Sequence, residues 1–356
     1  MPPLVLSVFS TFAVGGPQVR FVTLANRLGR TFRHAIVSMD GAMECAERLD
    51  PTLDITYPEV PIRKGETIAN ARAFRAALQR IRPDVLVTYN WGTIEWAIAN
   101  LWPVARHVHI EDGFGPEEQA GQIPRRVWMR RAVLRRCTLV VPSRTLQRIA
   151  TEQWRLPTAR MRYVPNGIDL ARFRPAPRTA GGAPVIGTVA SLRAEKNLAR
   201  LVRAFALLPE GLGARLVIVG GGPERPALEA LAASLGLGAR VSFAGEHKDP
   251  AAFYAGFDVF ALSSDTEQMP LSVLEAMAAG LPVAATDVGD VRAMLAAPNA
   301  PFVVPRDDAA LAEAMRALVT PDAPRAAIGA ANRAKAEAEF DERVMVEAYR
   351  GLFSGE

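Results

Sequence analysis

The chain has 356 residues, 49% of them hydrophobic and 22% charged, with a net charge of +5. That length exceeds one ordinary hydrophobic core and suits two globular domains, and the composition excludes a disordered chain. Cys45 and Cys137 stand far apart and form neither a disulfide framework nor a thiolate zinc site, and no run of 18 or more apolar residues exists to span a membrane as a helix.

In chain order, the opening apolar run at 5–9 has no basic leader and reads as a buried first strand rather than a signal peptide. Further strands are expected at 35–38, 85–88, 106–109 and 138–141. Helical periodicity falls at 18–28, 67–80, 94–101, 125–135 and 145–153. Strands and helices alternating at this spacing build βαβ units and a largely parallel sheet. Pro165-Asn166-Gly167 signals a turn, and 175–184 is rich in Pro, Gly, Ala and Thr, which places a boundary at 165–175. A second series follows, with strands at 185–189, 215–219, 241–243, 259–261 and 282–284 and helices at 197–207, 226–234, 271–279 and 309–318. The segment 324–353 reads as helical, and its Phe340, Val344, Val346, Tyr349 and Leu352 require a packing partner. The expected domains are 1–165, 166–335 and a closing helix within 336–356.

Charge is distributed unevenly. Residues 1–165 carry 23 Lys/Arg against 14 Asp/Glu, whereas 166–356 carry 19 against 23. Eleven arginines and a single acid, Glu152, lie between Arg125 and Arg162. This is either a solvated face in an arginine-rich protein or a surface that attracts anionic lipid headgroups or a phosphorylated acceptor. Nucleic acid is not expected, because no binding motif accompanies the arginines. On a helical wheel the arginines of 125–136 spread around most of the circle, so the segment is a poor interfacial helix, although Trp128 and its neighbours could touch a bilayer.

Open α/β sheets bind ligands at the carboxyl ends of their strands, and two such domains would turn those ends toward a common cleft. Five strand-end loops carry the chemistry. Gly15-Gly16-Pro17-Gln18 opens a helix and permits close approach of an anion, or is a plain turn; the Gly-x-Gly-x-x-Gly spacing of dinucleotide sites is absent. In Ser191–Asn197, Arg193 and Lys196 follow a strand directly and suit phosphate oxygens. Gly220-Gly221-Gly222 is either a side-chain-free surface for a base or diphosphate or an ordinary loop. In 267–277, Glu267 lies in a loop and Glu275 on a largely apolar helix that begins at Pro270; paired carboxylates accept hydrogen bonds from sugar hydroxyls, and a buried Glu275 needs a partner. At 107–115, His107, His109, Glu111 and Asp112 could hold a metal, but the preferred reading sends His109 out from the strand end and packs His107 beneath the loop.

Together these positions resemble the retaining glycosyltransferase family 4, which has the GT-B fold of two Rossmann-like parallel-sheet domains facing a central cleft. The resemblance spans nearly the whole chain. Its strongest piece is Glu267 through Gly280 followed by 282–289, which is similar to the family's two-glutamate signature. Val189–Asn197, Val219–Pro223 and Val164–Asp169 support it in the expected order. It implies that Arg193 and Lys196 hold the donor diphosphate, that Glu275 binds the ribose, and that Glu267 holds sugar hydroxyls with His109 beside the sugar. Gly15, Gly16, Gly221, Met269, Pro270 and Leu271 complete the implied donor site. No catalytic metal or other cofactor is implied. Gln268 departs from the glycine usual after the first signature glutamate, which puts transfer of the family's donor preference in doubt.

The function implied is transfer of a sugar from a UDP- or GDP-sugar, with retention of configuration, to a membrane lipid or lipid-linked glycan of the bacterial envelope. The expected location is cytoplasmic, peripheral to an anionic membrane surface. The alternatives are a nucleotide-sugar 2-epimerase, which turns over the donor without an acceptor, and a non-catalytic nucleotide-sugar binding protein. A phosphorylase of the glycogen type would need a lysine-held pyridoxal phosphate and a much longer chain.

Overall fold

The computed structural model describes residues 1–63, 65–118, 121–176 and 182–355. Residues 177–181 of the linker expected at 175–184 lie outside that set. The chain divides into two compact units, Met1–Asn166 with Arg343–Glu356, and Gly167–Glu342.

The first unit is built on a parallel sheet of seven strands: β1 (Leu4–Phe9), β2 (Arg33–Ser38), β3 (Ile55–Thr56), β4 (Val85–Tyr89), β5 (Arg106–Ile110), β6 (Thr138–Val141) and β7 (Met161–Tyr163). Their order is β3-β2-β1-β4-β5-β6-β7. The connecting helices are α1 (Gly16–Leu28), α2 (Thr67–Ile81), α3 (Ile94–Ala99), α4 (Pro124–Val133) and α5 (Arg144–Glu152). Alternation along the strands sends successive side chains to opposite faces. Val5, Val85, Val87, Val108 and Ile110 pack with Phe21 and Leu24 of α1 on one face. Leu6, Val8 and Leu86 pack on the other with Phe74 of α2 and Trp96 of α3. The latter face continues as Ile94 of α3, Val133 of α4 and Leu146 of α5, packed against Leu139 and Val141.

The second unit holds six parallel strands, β8 (Val185–Val189), β9 (Arg215–Val219), β10 (Val241–Gly245), β11 (Val259–Leu262), β12 (Val283–Thr286) and β13 (Val303–Val304), in the order β10-β9-β8-β11-β12-β13. Its helices are α6 (Leu198–Ala206), α7 (Arg225–Ser234), α8 (Ala251–Ala255), α9 (Leu271–Ala278), α10 (Val291–Met294), α11 (Asp308–Val319) and α12 (Arg325–Glu339).

The last helix, α13 (Glu342–Ser354), places Met345, Val346, Tyr349 and Phe353 in the core of the first unit beside α1. Phe340, just before it, is buried in the core of the second. Val344, expected to pack, is exposed, because the buried stripe runs one position later around the helix. Strands β3, β7 and β13, of two or three residues each, and the short helices α8 and α10 add elements that the apolar pattern did not announce.

Candidate active site

In the second unit the strand order reverses between β8 and β11: β9 and β10 lie on one side of β8, and β11 to β13 on the other. Loops leaving such a pair of strands diverge and leave a crevice at the carboxyl edge of the sheet. The loops concerned are 190–197 and 263–270, which carry Arg193, Lys196 and Glu267.

Backbone and side chains lock these loops together. The Asp265 amide donates to the Glu195 carbonyl (2.9 Å), the Asn197 side-chain amide to Asp265 Oδ2 (2.9 Å) and the Ser263 hydroxyl to the Lys196 carbonyl (3.0 Å). Asn197 sits at φ +42°, a left-handed conformation that Asn tolerates, and its side chain caps α6. Arg200, buried one turn into α6, donates to Asp265 (2.6 Å) and to the Ser263 carbonyl (2.8 Å). Neither Arg200 nor Asp265 stood out in sequence, since each looks like an ordinary charged surface residue until its partner is known.

Lys196 Nζ lies 2.6 Å from Glu267 Oε1, and the Ser264 hydroxyl donates to the same oxygen at 2.7 Å. Both contacts fall on Oε1, which leaves Oε2 for a ligand hydroxyl. Arg193 caps the short turn before Lys196; it is exposed and, among the described residues, takes no side-chain partner. Behind Glu267 the backbone is pinned by the Asp290 amide on the Gln268 carbonyl (2.9 Å). Gly289 (φ +54°) lies so close that a Cβ there would strike the carbonyls of Glu267 and Gln268.

The glycine run divides into two kinds. Gly220 (φ +143°) and Gly222 (φ +152°) face the backbone of the loop after β8; a Cβ on Gly220 would fall on the Ala190 carbonyl, and one on Gly222 would lie 2.5 Å from that of Leu192. They are glycine because three loops stack there, through Leu192 N–H to Gly221 O (2.8 Å), Glu224 N–H to Leu192 O (3.0 Å) and Gly220 N–H to Gly245 O (2.8 Å). Gly221 alone of the three has no positive φ, and a Cβ on it would meet only the Glu246 side chain.

Met269 and Pro270 are both buried, Pro270 capping α9, so these two can meet a ligand only through backbone. Leu271 is half-buried against the same core. No side chain caps the first turn of α9, which suits an anion at its N–H groups. Glu275, one turn further, accepts a 2.5 Å hydrogen bond from the Tyr254 hydroxyl of α8. Burial raises its carboxyl above the ordinary carboxylate range, and the Tyr254 bond offsets part of that. Glu275 is half-buried, and the partner expected for its carboxyl is supplied by the protein, so that need alone does not indicate a ligand.

In the first unit the order reverses between β1 and β4. Gly15 caps α1 in an extended conformation and Gly16 begins it with open space where a Cβ would point. The fold leaves room for a side chain at 16, so packing does not account for that glycine. Across the switch point a Cβ on Gly92 would lie 2.6 Å from that of Ser10, a contact not anticipated from sequence.

The expected exposure of the two histidines is reversed. His109 is fully buried, whereas His107 keeps part of its surface. Both rings bond the Thr88 hydroxyl of β4, through His107 Nε2 (2.8 Å) and His109 Nδ1 (2.7 Å), and desolvation with His109 alongside pushes His107 down to about 3. His109 Nε2 lies 3.6 Å from Glu111. The strand end is closed by Arg130 of α4, which pairs with Glu118 (3.1 Å) and approaches Glu111 (3.4 Å). Asp112 is held by Arg20 (2.5 and 2.7 Å). Of the acids of 107–115, Asp112 is thus engaged by Arg20 while Glu111 is only approached by Arg130, and among the described residues no group of three or more His, Cys, Asp or Glu could hold a metal ion.

Two Rossmann-like parallel sheets, each with a switch point, define a two-domain α/β protein of the GT-B class, and the second carries a lysine–glutamate bridge and an exposed arginine at that point. Residues 14–172 match the family described as Glycosyltransferase Family 4, and residues 171–335 match Glycosyl transferases group 1. The chain belongs to these GT-B glycosyltransferases. It is 30% identical to a D-inositol 3-phosphate glycosyltransferase of Xylanimonas cellulosilytica over 70% of this chain and 67% of that one. It is 29% identical to an exopolysaccharide phosphotransferase of Streptomyces coelicolor over 90% of this chain, but spans only 34% of that relative's length. Among solved structures, Anabaena HepE in complex with UDP and glucose superposes with a TM-score of 0.83 at 17% identity, covering 99% of this chain and 100% of that one.

Proposed function

We propose that this glycosyltransferase moves a sugar from a UDP- or GDP-sugar to a membrane lipid or lipid-linked glycan, with retention of anomeric configuration, from the cytoplasmic side of an anionic membrane. The observation that carries the donor reading is the Lys196–Glu267 bridge at the switch point, with Arg193 exposed beside it. The second unit, from 166 on, takes the donor and the first takes the acceptor. Lys196 and Arg193 neutralise the departing diphosphate, Glu267 Oε2 accepts from a sugar hydroxyl and Glu275 from the ribose. Gly221 and the backbone of Met269, Pro270 and Leu271 line the donor. Gly15 and Gly16 offer backbone amides that suit phosphate.

The acceptor oxygen attacks the anomeric carbon as its bond to the diphosphate breaks, and the acceptor proton passes to the leaving phosphate oxygen. Stabilisation of that oxygen by fixed cations is the main source of rate. His109, fully buried on the Thr88 hydroxyl, acts from the end of β5 through that bond.

Nucleotide release from UDP-, GDP- and ADP-sugars, with and without extracted membrane lipids, tests the reading. Release that requires lipid and yields a glycolipid is expected. Conversion of the donor into an isomeric nucleotide-sugar, with no acceptor and no net nucleotide release, would instead make the protein an epimerase, and tight binding without turnover a binding protein.

A further inference from the structure

The arginines of the first unit are sorted by the fold. On α4, Arg126 and Arg130 turn inward: Arg126 pairs with Glu117 (2.7 Å), and Arg130 lies between Glu118 and the rings of Trp91, Phe114 and Trp154. Those are the arginines that spoil the amphipathic pattern of 125–136. With them removed, the solvent-facing positions are Arg125, Trp128, Ala132, Arg135 and Arg136, one stripe along α4 and the turn after it.

This stripe continues onto neighbouring helices. Helices α2 to α5 cover one face of the sheet. Among the described residues, the large hydrophobic side chains they and their connections expose are Tyr57 before α2 (49%), Ile68 on α2 (72%), Trp102 after α3 (74%) and Trp128 on α4 (65%). Arg75 of α2 donates to the Trp102 carbonyl, which ties that loop to α2. Arg72 is exposed one turn from Ile68. The acids on this layer are partly engaged: Glu66 pairs with Arg63 and Glu95 accepts from Asn70, while Glu59, tied to α2 through Arg80, and Glu152 on α5 are exposed. The opposite layer, of α1 and α13 with the turn after β2, carries exposed Glu44, Glu47 and Glu347 among its arginines. Positive charge and exposed tryptophan therefore share one face.

We propose that the α2–α5 face of the first unit docks on an anionic lipid bilayer, with Trp102 and Trp128 at headgroup depth and Arg72, Arg125 and Arg135 over lipid phosphates. Tryptophan has an amphipathic ring that settles at the membrane interface, and arginine near an anionic surface gains from its potential. A nucleic-acid duplex would use the arginines but keeps its bases stacked, which leaves the two tryptophans without partners. The purpose of the contact rests on the lipid-acceptor reading, but the contact itself is measured without sugar transfer.

The test is co-sedimentation of the full chain with phosphatidylcholine vesicles, with and without phosphatidylglycerol, at low and high salt. Binding to the anionic vesicles only, weakened by salt, is expected. Replacing Arg72, Arg125 and Arg135 together by Ser should weaken it about a hundredfold, at roughly fivefold per arginine. Trp102→Ser with Trp128→Ser should abolish the blue shift of tryptophan fluorescence on vesicles, and neither variant should change nucleotide binding in the absence of lipid. Equal binding to both vesicle types, no binding, unchanged binding by the arginine variant, or tighter binding to duplex DNA would each overturn the proposal. Vesicle binding by an enzyme that glycosylates only a soluble phosphorylated acceptor would overturn the lipid-acceptor reading and leave the docking face standing.

Discussion

The ammonium of Lys196 lies 2.6 Å from Oε1 of Glu267, joining the loops that leave β8 and β11 where the sheet order of the second unit reverses. The Glu267 side chain is only 10% exposed, so this contact is much less screened than a surface ion pair. Lys196→Ala should lower kcat by about 10²–10³-fold, the range for loss of one group that stabilises developing charge. Because the same substitution strips Glu267 of its cation, Lys196→Ala and Glu267→Ala should be non-additive, the double variant losing less than the product of the single losses. Steady-state kinetics on the three variants checks this. A Lys196→Ala enzyme with normal kcat and a raised KM would assign the lysine to ground-state binding alone.

The glycine run predicts a pattern that a simple ligand-facing loop would not give. Gly222→Ala puts a Cβ 2.5 Å from the Leu192 carbonyl at a φ of +152°, and Gly220→Ala drives one into the Ala190 carbonyl. Each should lower stability by about 1–3 kcal/mol and move the loop that carries Arg193 and Lys196. Gly221→Ala should melt like the wild type, and any loss it shows should be in nucleotide affinity. Thermal melts paired with nucleotide titration separate the two kinds. A Gly220→Ala protein with unchanged Tm would contradict the stacking of the three loops.

Glu275 gives the pH dependence. Burial raises its carboxyl above the ordinary 4.5. Between 4.5 and its raised value the folded protein holds a proton that the unfolded chain has lost, so the contribution to stability is fully present below 4.5 and is lost as pH rises through that window. Glu275→Gln removes this dependence and should match or exceed the wild type in Tm above the window while binding nucleotide more weakly. If its melting profile against pH parallels that of the wild type, the carboxyl is not destabilised by burial.

The features legible from sequence are those whose signal is local. Ser191–Asn197 and Glu267–Glu275 stand directly beyond strongly apolar strands, and the fold brings Lys196 and Glu267 into contact. What escaped depends on partners distant in the chain. Arg200 and Asp265 are 65 positions apart, and nothing in either neighbourhood marks the pair. Arg126 and Arg130 blurred the wheel of α4 because their acids lie in a separate loop at 117–118. Edge strands such as Ile55–Thr56 are too short for alternation to show. His109 illustrates a different limit: alternation places it on the same side as His107, but only the closure of the strand end by Arg130 and Glu118 decides which ring keeps any surface.

Arg130 and Glu111 make the last case, because the same buried cluster predicts opposite outcomes for its two charges. Arg130 is 1% exposed and holds both oxygens of Glu118, at 3.2 and 3.1 Å; burial alone would raise Glu118, yet Arg130 and Arg126 keep its carboxyl below the usual range. Arg130→Ala would leave buried Glu118 with only Arg126 and the Ile123 amide, and empty the space among Trp91, Phe114 and Trp154, at a cost of about 3–5 kcal/mol. Glu111 is equally buried, but neither of its oxygens makes a hydrogen bond, with Arg130 Nε at 3.4 Å and His109 Nε2 at 3.6 Å. A charge so loosely matched contributes little to the fold, so Glu111→Gln should be as stable as the wild type or more so. If Glu111 is retained for its charge at the end of β5, the same variant should show a reduced kcat with unchanged nucleotide affinity. Denaturant melts and donor titration on Arg130→Ala and Glu111→Gln read both effects, and a large loss of stability in Glu111→Gln would show instead that the carboxylate is a structural anchor.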